Sequence, residues 1–309
     1  MPTGFGWEFK TQYQKCQWEN MEYRGRNYRD ALYEKVTPQI ARITFNRPEK
    51  RNAFNDGQFA DMLAGLHEAN DDPDVRVVIL RGAGPCFGAG HELSSPKEEE
   101  SPPVSPSLNP TLVDYYGFER RRCDKHQDIM NYPKPTIAQV HGFCIGASEI
   151  VATACDFIIA AEDAQFGLRG FGRFPFNIVN WPGFWPAESL KIHGGRLLPE
   201  LSGREAAEGG LITRAVPLEG LEAEVMRWAG VICQMPAEVL TITKEWLNGI
   251  ADISGMGASW RSHFAEHLML QYVHFHPDEV SLYKARRDRG LKGFFVERAV
   301  SATPEAKAS

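Results

Sequence analysis

The sequence predicts an α/β fold, and three observations carry the prediction. Short runs of strand composition, Ile40–Phe45 and Val75–Leu80, flank a segment in which Phe59, Met62, Leu63 and Leu66 recur at helical spacing. The order strand, glycine turn, helix, strand returns at residues 134–167, through Thr136–Val140, His141–Gly146, Ala147–Cys155 and Phe157–Ala161. Both glycine-dense turns, Gly82–His91 and His141–Gly146, directly follow a predicted strand. Such turns let backbone approach a ligand closely.

Taken in order, residues 1–35 carry Tyr, Arg, Trp and Gln without a clear period and read as an N-terminal extension. Ile40–Phe45 places Ala41, Ile43 and Phe45 on one face and Arg42 and Thr44 on the other, the pattern of a half-buried strand. Asn46-Arg47-Pro48 ends it, since proline cannot donate to a ladder. The amphipathic helix that follows is broken by Asn70-Asp71-Asp72-Pro73. Val75–Leu80 is nearly all apolar, as expected of a strand covered on both faces. Residues 94–112 are rich in proline and acid and read as a surface loop or lid insertion. Residues 113–131 are polar and helix-capable, with a basic cluster, Arg120–Arg122, that reads as a solvated face. Leu168–Glu188 is dense in Gly, Phe, Trp, Pro and Arg and reads as a pocket lining. Helical stripes then dominate: Leu221, Val225, Trp228, Ala229 and Ile232; Val239, Ile242 and Trp246; Trp260, Phe264 and Leu268. The expected organisation is an extension to residue 35, an α/β core over 36–195 and a helical region over 196–309.

An apolar content of 43% and a charged content of 24% are those of a soluble globular chain. The formal charge of −6 argues against a nucleic-acid partner. No apolar run approaches the ~20 residues of a membrane span, and the polar, aromatic start lacks a signal-peptide pattern. The expectation is a cytoplasmic protein without a membrane partner. Six cysteines are scattered without CxxC spacing, which points to neither zinc nor disulfides. Cys144 and Cys155, in apolar surroundings, read as buried thiols. His263 and His267 are spaced i, i+4 but lack the glutamate of HExxH, so no metal is expected. Ser148 is outside any GxSxG elbow, and neither a P-loop nor a dinucleotide fingerprint occurs.

The second glycine turn aims N–H groups from the start of a helix, where negative charge is favoured. Six segments in order then resemble the enoyl-CoA hydratase/isomerase, or crotonase, superfamily. They are ITFNRPEKRNAF (43–54), VRVVILRGAGPCFGAGHEL (75–93), KPTIAQVHGFCIGASE (134–149), CDFIIAAEDAQFG (155–167), GREAAEGGLITRAVP (203–217) and GFFVER (293–298). The resemblance implies a spiral of ββα units, a C-terminal helical region that forms trimers or dimers of trimers, and an acyl-CoA thioester whose carbonyl becomes an enolate. It implies no cofactor besides the coenzyme A carried by the substrate. By the same resemblance the two oxyanion donors are the backbone N–H groups of His91 and Ala147, the latter beside Gly146 where the substrate would lie. The nucleotide would sit near Ala89, Arg51 and Ala53, and Phe295 and Arg298 would close the coenzyme A site. Tyr115 and Glu119 fall in the helix-capable stretch that in this family often borders the acyl pocket, with ordinary packing as the other reading.

Several residues admit two readings. His91 offers its N–H or, less directly, its imidazole. Glu149 is either an acid/base or an acid favoured by the first turn of its helix. Arg169, Arg173 and Asn177 hold a polar substrate group or belong to a solvated loop. His141 reads as structural. Counting from Gly142 to Asp156 places the first hydratase glutamate at Ile150 rather than Glu149, and the second falls at Gly170. One residue turns a helical side chain by about 100°. The expected function is therefore an acyl-CoA-processing, enoyl-CoA hydratase/isomerase-like enzyme. The alternatives are a retro-Claisen C–C hydrolase of a β-dicarbonyl, cyclic or free of coenzyme A, and a scaffold member without catalysis.

Overall fold

A computed structural model of the chain describes residues 27–92, 113, 125–167 and 200–258. Six strands form the main sheet in the order β1 (Ala31–Thr37), β2 (Ile40–Phe45), β3 (Val77–Gly82), β4 (Thr136–Val140), β6 (Phe157–Ala161) and β9 (Arg214–Val216). Only β1 runs antiparallel to its neighbour. A smaller sheet joins β5 (Phe143–Ile145), β7 (Gln165–Gly167) and β8 (Leu201–Ser202). Successive strands thus alternate between sheets: β4 and β6 enter the large one, β5 and β7 the small one. The strand β5 lies inside the segment read as a plain turn.

Helix α1 (Asp56–Asp71) starts at Asn55, whose side chain caps the Gln58 N–H, and buries Phe59, Met62, Leu63 and Leu66 as the periodicity requires. It covers the face of β2 that carries Ala41, Ile43 and Phe45. Gly65 lets it approach closely, since a Cβ there would lie 3.1 Å from Ile43. The opposite face of β2 differs from expectation: Thr44 is buried and Arg42 largely covered. The reason is Glu222 of α4 (Leu221–Ile232), which takes Arg42 Nη1 at 2.7 Å, Gln139 Nε2 at 2.8 Å and Arg81 Nη1 at 3.4 Å. Together with Glu34, whose Oε1 takes Arg42 Nε at 2.8 Å, Glu222 offsets the two guanidinium charges of this polar layer.

The C-terminal region is less purely helical than its stripes predict, because β8 and β9 complete the two sheets. Between them α3 (Gly203–Glu208) opens with a capping box, Ser202 and Glu205. Helix α4 buries Leu221, Val225, Ala229 and Ile232 as predicted, with Trp228 partly covered. In α5 (Ala237–Ile253) the predicted stripe is reversed: Ile242 and Trp246 are 68% and 69% exposed. The helix is held instead by buried Lys244, whose Nζ meets Asp156 Oδ2 at 2.7 Å. Asp156 also accepts from the N–H and hydroxyl of Thr136. Trp260, Phe264, Leu268, His263, His267, the basic cluster and the 94–112 insertion lie outside the described residues. No helix among the described residues is long and apolar enough to cross a membrane.

The sheet begins at Ala31, a few residues inside the segment read as an extension. Asp61, buried on α1, accepts the N–H groups of Arg29, Asp30 and Ala31 at 3.0, 2.8 and 3.3 Å. Asp61→Ala leaves these donors without that charged acceptor and is expected to cost about 2–3 kcal/mol. A urea midpoint that falls at constant m-value reads this out. Asp61→Asn, which keeps an acceptor oxygen, should lose less. A shift in the alanine variant below about 0.5 kcal/mol, the size of an ordinary surface substitution, means that Asp61 does not anchor β1.

Candidate active site

Strands β3 and β4 are parallel neighbours, so the glycine turns at their C-terminal ends emerge side by side. Backbone hydrogen bonds lace them together. Phe87 N–H donates to His141 O and Gly88 N–H to Phe143 O, both at 2.8 Å, and Ile145 N–H donates to Gly88 O at 3.1 Å. His141 Nε2 lies 2.8 Å from Gly84 O, a contact that gives this side chain a structural part. Behind the turns Phe45 packs edge-on against Phe54 and Phe87, with centroids 4.9 and 5.2 Å away. The first turn is thereby fixed to the core through Phe87.

Gly90 and His91 pair with Phe54. Phe54 N–H donates to Gly90 O at 2.7 Å, and Glu92 N–H donates to Phe54 O at 2.9 Å. A planar trans peptide points its N–H opposite to its C=O, so the His91 N–H is directed away from Phe54. Gly90 has φ +92°, and a Cβ on it would lie 3.0 Å from Ile145 O and 3.8 Å from the Ala147 nitrogen. The turn can close on its neighbour only with glycine here. Ala147 is the first residue of α2 (Ala147–Thr153), behind Gly146 as the N-cap residue. A residue in that place has no carbonyl four positions back inside its helix. Its N–H makes no hydrogen bond among the described residues, although Ala147 is 2% exposed. Buried donors without partners are rare in folded proteins and call for an explanation.

The residues expected around a nucleotide gather at the same edge. Ala89 N–H donates to Arg51 O at 3.0 Å, and the Arg51 guanidinium lies 5.7 Å from the Phe143 ring centroid. Ala53 is held by Arg47, whose Nη1 reaches Ala53 O at 2.6 Å while Nη2 pairs with Glu92 at 2.7 Å. Arg51 and Asn52 both have φ +51°, a left-handed bend. Asn52 makes it possible and was not singled out from sequence. Its side chain is buried, donates to Ala83 O and Cys86 O at 2.8 Å each, and accepts from Arg47 N–H at 2.9 Å. The available signal was an asparagine in an Arg-Asn-Ala stretch after a strand, since asparagine tolerates that bend better than most residues. The His91 imidazole lies beside Phe59 of α1, with centroids 6.2 Å apart. Tyr115, Glu119, Arg169, Gly170, Arg173, Asn177, Phe295 and Arg298 lie outside the described residues.

Glu149 is fully buried in α2, and neither carboxyl oxygen has a hydrogen-bond partner among the described residues. Burial pushes its pKa well above the usual carboxylate range. Its neighbour Cys144 is likewise a buried free thiol, raised first by burial and then by the Glu149 charge. Burial thus disfavours the ionised, dipole-favoured form of Glu149 that the sequence left open. Ile150, one place on, is the partly exposed position.

A carboxyl with a raised folded pKa keeps its proton on folding. Its contribution to stability is fully present below the unfolded value of about 4.3 and is lost as pH rises toward the folded pKa. Wild type is expected to lose stability relative to Glu149→Gln by about 1.4 kcal/mol per pH unit in that window. Urea titrations of both proteins from pH 4 to pH 8 measure the difference. A constant difference would show that Glu149 ionises normally in the fold.

Comparison with known proteins follows the same outline. Residues 35–256 match the enoyl-CoA hydratase/isomerase family. EchA13 of Mycobacterium tuberculosis, named for an enoyl-CoA hydratase, is 31% identical over 272 residues, covering 84% of this chain and 85% of that protein. The crystal structure of an enoyl-CoA hydratase/isomerase from Xanthobacter autotrophicus Py2 superposes with a TM-score of 0.74 at 30% identity, covering 88% of this chain and 98% of that one. An enoyl-CoA hydratase from Mycobacterium smegmatis gives 0.72 at 27% identity, covering 88% and 94%. A family match that spans most of the α/β core, on a fold shared with solved members, shows that this chain belongs to the enoyl-CoA hydratase/isomerase family of the crotonase superfamily.

Proposed function

We propose that the protein binds an acyl-CoA thioester and stabilises its enolate between the backbone N–H groups of His91 and Ala147. The observation that carries this reading is the buried Ala147 N–H, which lies beside the Gly90–His91 turn and has no hydrogen-bond partner among the described residues. An enolate oxygen supplies the acceptor that the buried donor lacks. Donors fixed before the reaction stabilise developing charge without reorganising, and each is worth about 100- to 1000-fold in rate. In this reading Arg51, Ala53 and Ala89 hold the nucleotide, and Phe295 and Arg298 close over it from a neighbouring subunit of a trimer or a dimer of trimers. Gly146 lies against the thioester. Tyr115, Glu119, Arg169, Arg173 and Asn177 line the acyl pocket. The reaction needs no cofactor besides the coenzyme A that the substrate carries, and neither nucleic acid nor membrane is a partner.

Proton transfer separates the readings of the outcome. Ile150 has no acid where a hydratase carries its first glutamate, and the nearby carboxyl of Glu149 is buried beside Cys144. That favours isomerisation, or hydrolysis of a C–C bond in a β-dicarbonyl, over hydration by a glutamate pair. In a retro-Claisen step the departing carbanion is the enolate itself, so the same two donors serve.

Proline at the first helical position is tolerated, so Ala147→Pro removes the donor with little cost to the helix. It is expected to lower kcat by about 100- to 1000-fold at unchanged thermal stability. The assay compares enoyl-CoAs, β-ketoacyl-CoAs and free β-diketones. Undiminished turnover in the folded variant sinks the oxyanion reading. Cleavage of a free diketone without measurable coenzyme A binding in calorimetry replaces the thioester by a C–C hydrolase. A wild type inert toward the whole panel favours a scaffold.

A further inference from the structure

Ser148 has no part in the chemistry described so far, yet its side chain ties the helix after the second glycine turn to the Gly90 end of the first, as His141 ties the two turns at Gly84. It is fully buried, and its Oγ accepts the Gly90 N–H at 3.0 Å. A serine this early in a helix ordinarily turns its hydroxyl to nearby backbone of its own segment. Here it reaches a partner 58 residues away in sequence. Room for it is made by Gly88, since a Cβ there would coincide with the Ser148 hydroxyl.

The contact fixes a specific torsion. The peptide that carries the His91 N–H begins at the Gly90 carbonyl, which is held by Phe54 N–H at 2.7 Å. The other end of Gly90, its own N–H, is held by Ser148. Rotation about the Gly90 N–Cα bond, at φ +92°, changes the angle between those two anchors and would swing the His91 N–H. Glycine has no Cβ to resist that rotation. Ser148 also follows Ala147 directly, so the anchor belongs to the residue next to the second donor.

We propose that Ser148 is a positioning residue that sets the spacing and direction of the His91 and Ala147 N–H pair through its hydrogen bond to Gly90. The proposal rests on the oxyanion reading and adds to it the side chain that determines its geometry. Displacing a catalytic group by about 1 Å costs up to about 100-fold, although no contact to substrate is lost. Coenzyme A affinity, which depends on other residues, should be unaffected.

The test uses acetoacetyl-CoA, whose enolate has its own ultraviolet band and forms by loss of the α proton to solvent. The full-length wild type is expected to raise the enolate fraction of the bound ligand. Ser148→Ala removes the acceptor, and Ser148→Cys fills the space with a sulfur that accepts only weakly. Either variant, whichever folds, should lower the enolate-to-keto ratio of the bound ligand by about 10- to 100-fold, with coenzyme A binding by calorimetry within about twofold, well inside the ~1.4 kcal/mol that corresponds to tenfold. A folded variant that keeps the wild-type ratio overturns the role of Ser148 and leaves the oxyanion reading standing. Equal loss of coenzyme A and acetoacetyl-CoA affinity reveals general damage to the fold and overturns the role as well. Wild type that binds acetoacetyl-CoA only in its keto form removes the oxyanion reading, and the proposal falls with it.

Discussion

The two backbone hydrogen bonds that Gly88 makes, to Phe143 and from Ile145, are the constraint on which the site depends. They exist because β3 and β4 lie side by side and parallel, so that both connecting turns leave from the same end of the sheet. In open α/β sheets this end is where ligands bind. Without the lacing, each turn would be a solvated glycine loop with many conformations, and ordering it would cost about 1–2 kcal/mol per residue. With it, Gly88 behaves as a strand residue paired to Cys144, and the turn that follows inherits the rigidity of the small sheet. The positions of Gly90, His91 and Ala147 follow from that pairing.

Two carboxylates in the same chain show contrasting electrostatic settings, Glu222 about half exposed and Glu149 fully buried. Glu222 gathers Arg42, Arg81 and Gln139 beneath α4, and its charge makes a polar sheet face compatible with a covering helix. Glu149 has no such partners among the described residues, and burial raises its pKa well above the usual carboxylate range. An acid already neutral in the fold imposes only the cost of unsatisfied hydrogen-bonding atoms, about 1–3 kcal/mol. The first arrangement ties elements together, whereas the second is tolerated within a short helix that other contacts already fix.

Legibility in the sequence followed the length of each pattern. Helix α1 and strands β2, β3, β4 and β6 were readable because their buried residues repeat over five or more positions. Strands β5, β7 and β8 contain three residues or two, too few for alternation to register, and from sequence β5 reads as turn. In α5 an apolar stripe was visible, but its burial was not. The helix is attached through Lys244, and a lysine that reaches an aspartate 88 residues earlier leaves no local signal. At the site the glycines marked where backbone must approach backbone. Asn52 and Ser148 were not marked, because their work is defined by acceptors and donors 34 and 58 residues distant. The burial of Glu149 was also unreadable, since a polar residue at the start of a helix ordinarily faces solvent.

The contrast between His91, Ala147 and Ile150 has a physical basis. Every residue except proline carries a backbone N–H, so a donor supplied by backbone survives replacement of the side chain, provided that φ and ψ are kept. A histidine or an alanine can therefore occupy a donor position without removing the donor. Proton transfer has no such tolerance: an acid must bring a carboxyl group to within about 3 Å of the reacting atom, and isoleucine has none to bring. Family membership, which rests on fold and on turn geometry, consequently carries the charge-stabilising half of the chemistry further than the proton-moving half. In the proposed site the backbone half would rest on Gly88, Gly90 and Ser148, and any proton transfer would fall to groups other than the pair that defines hydration.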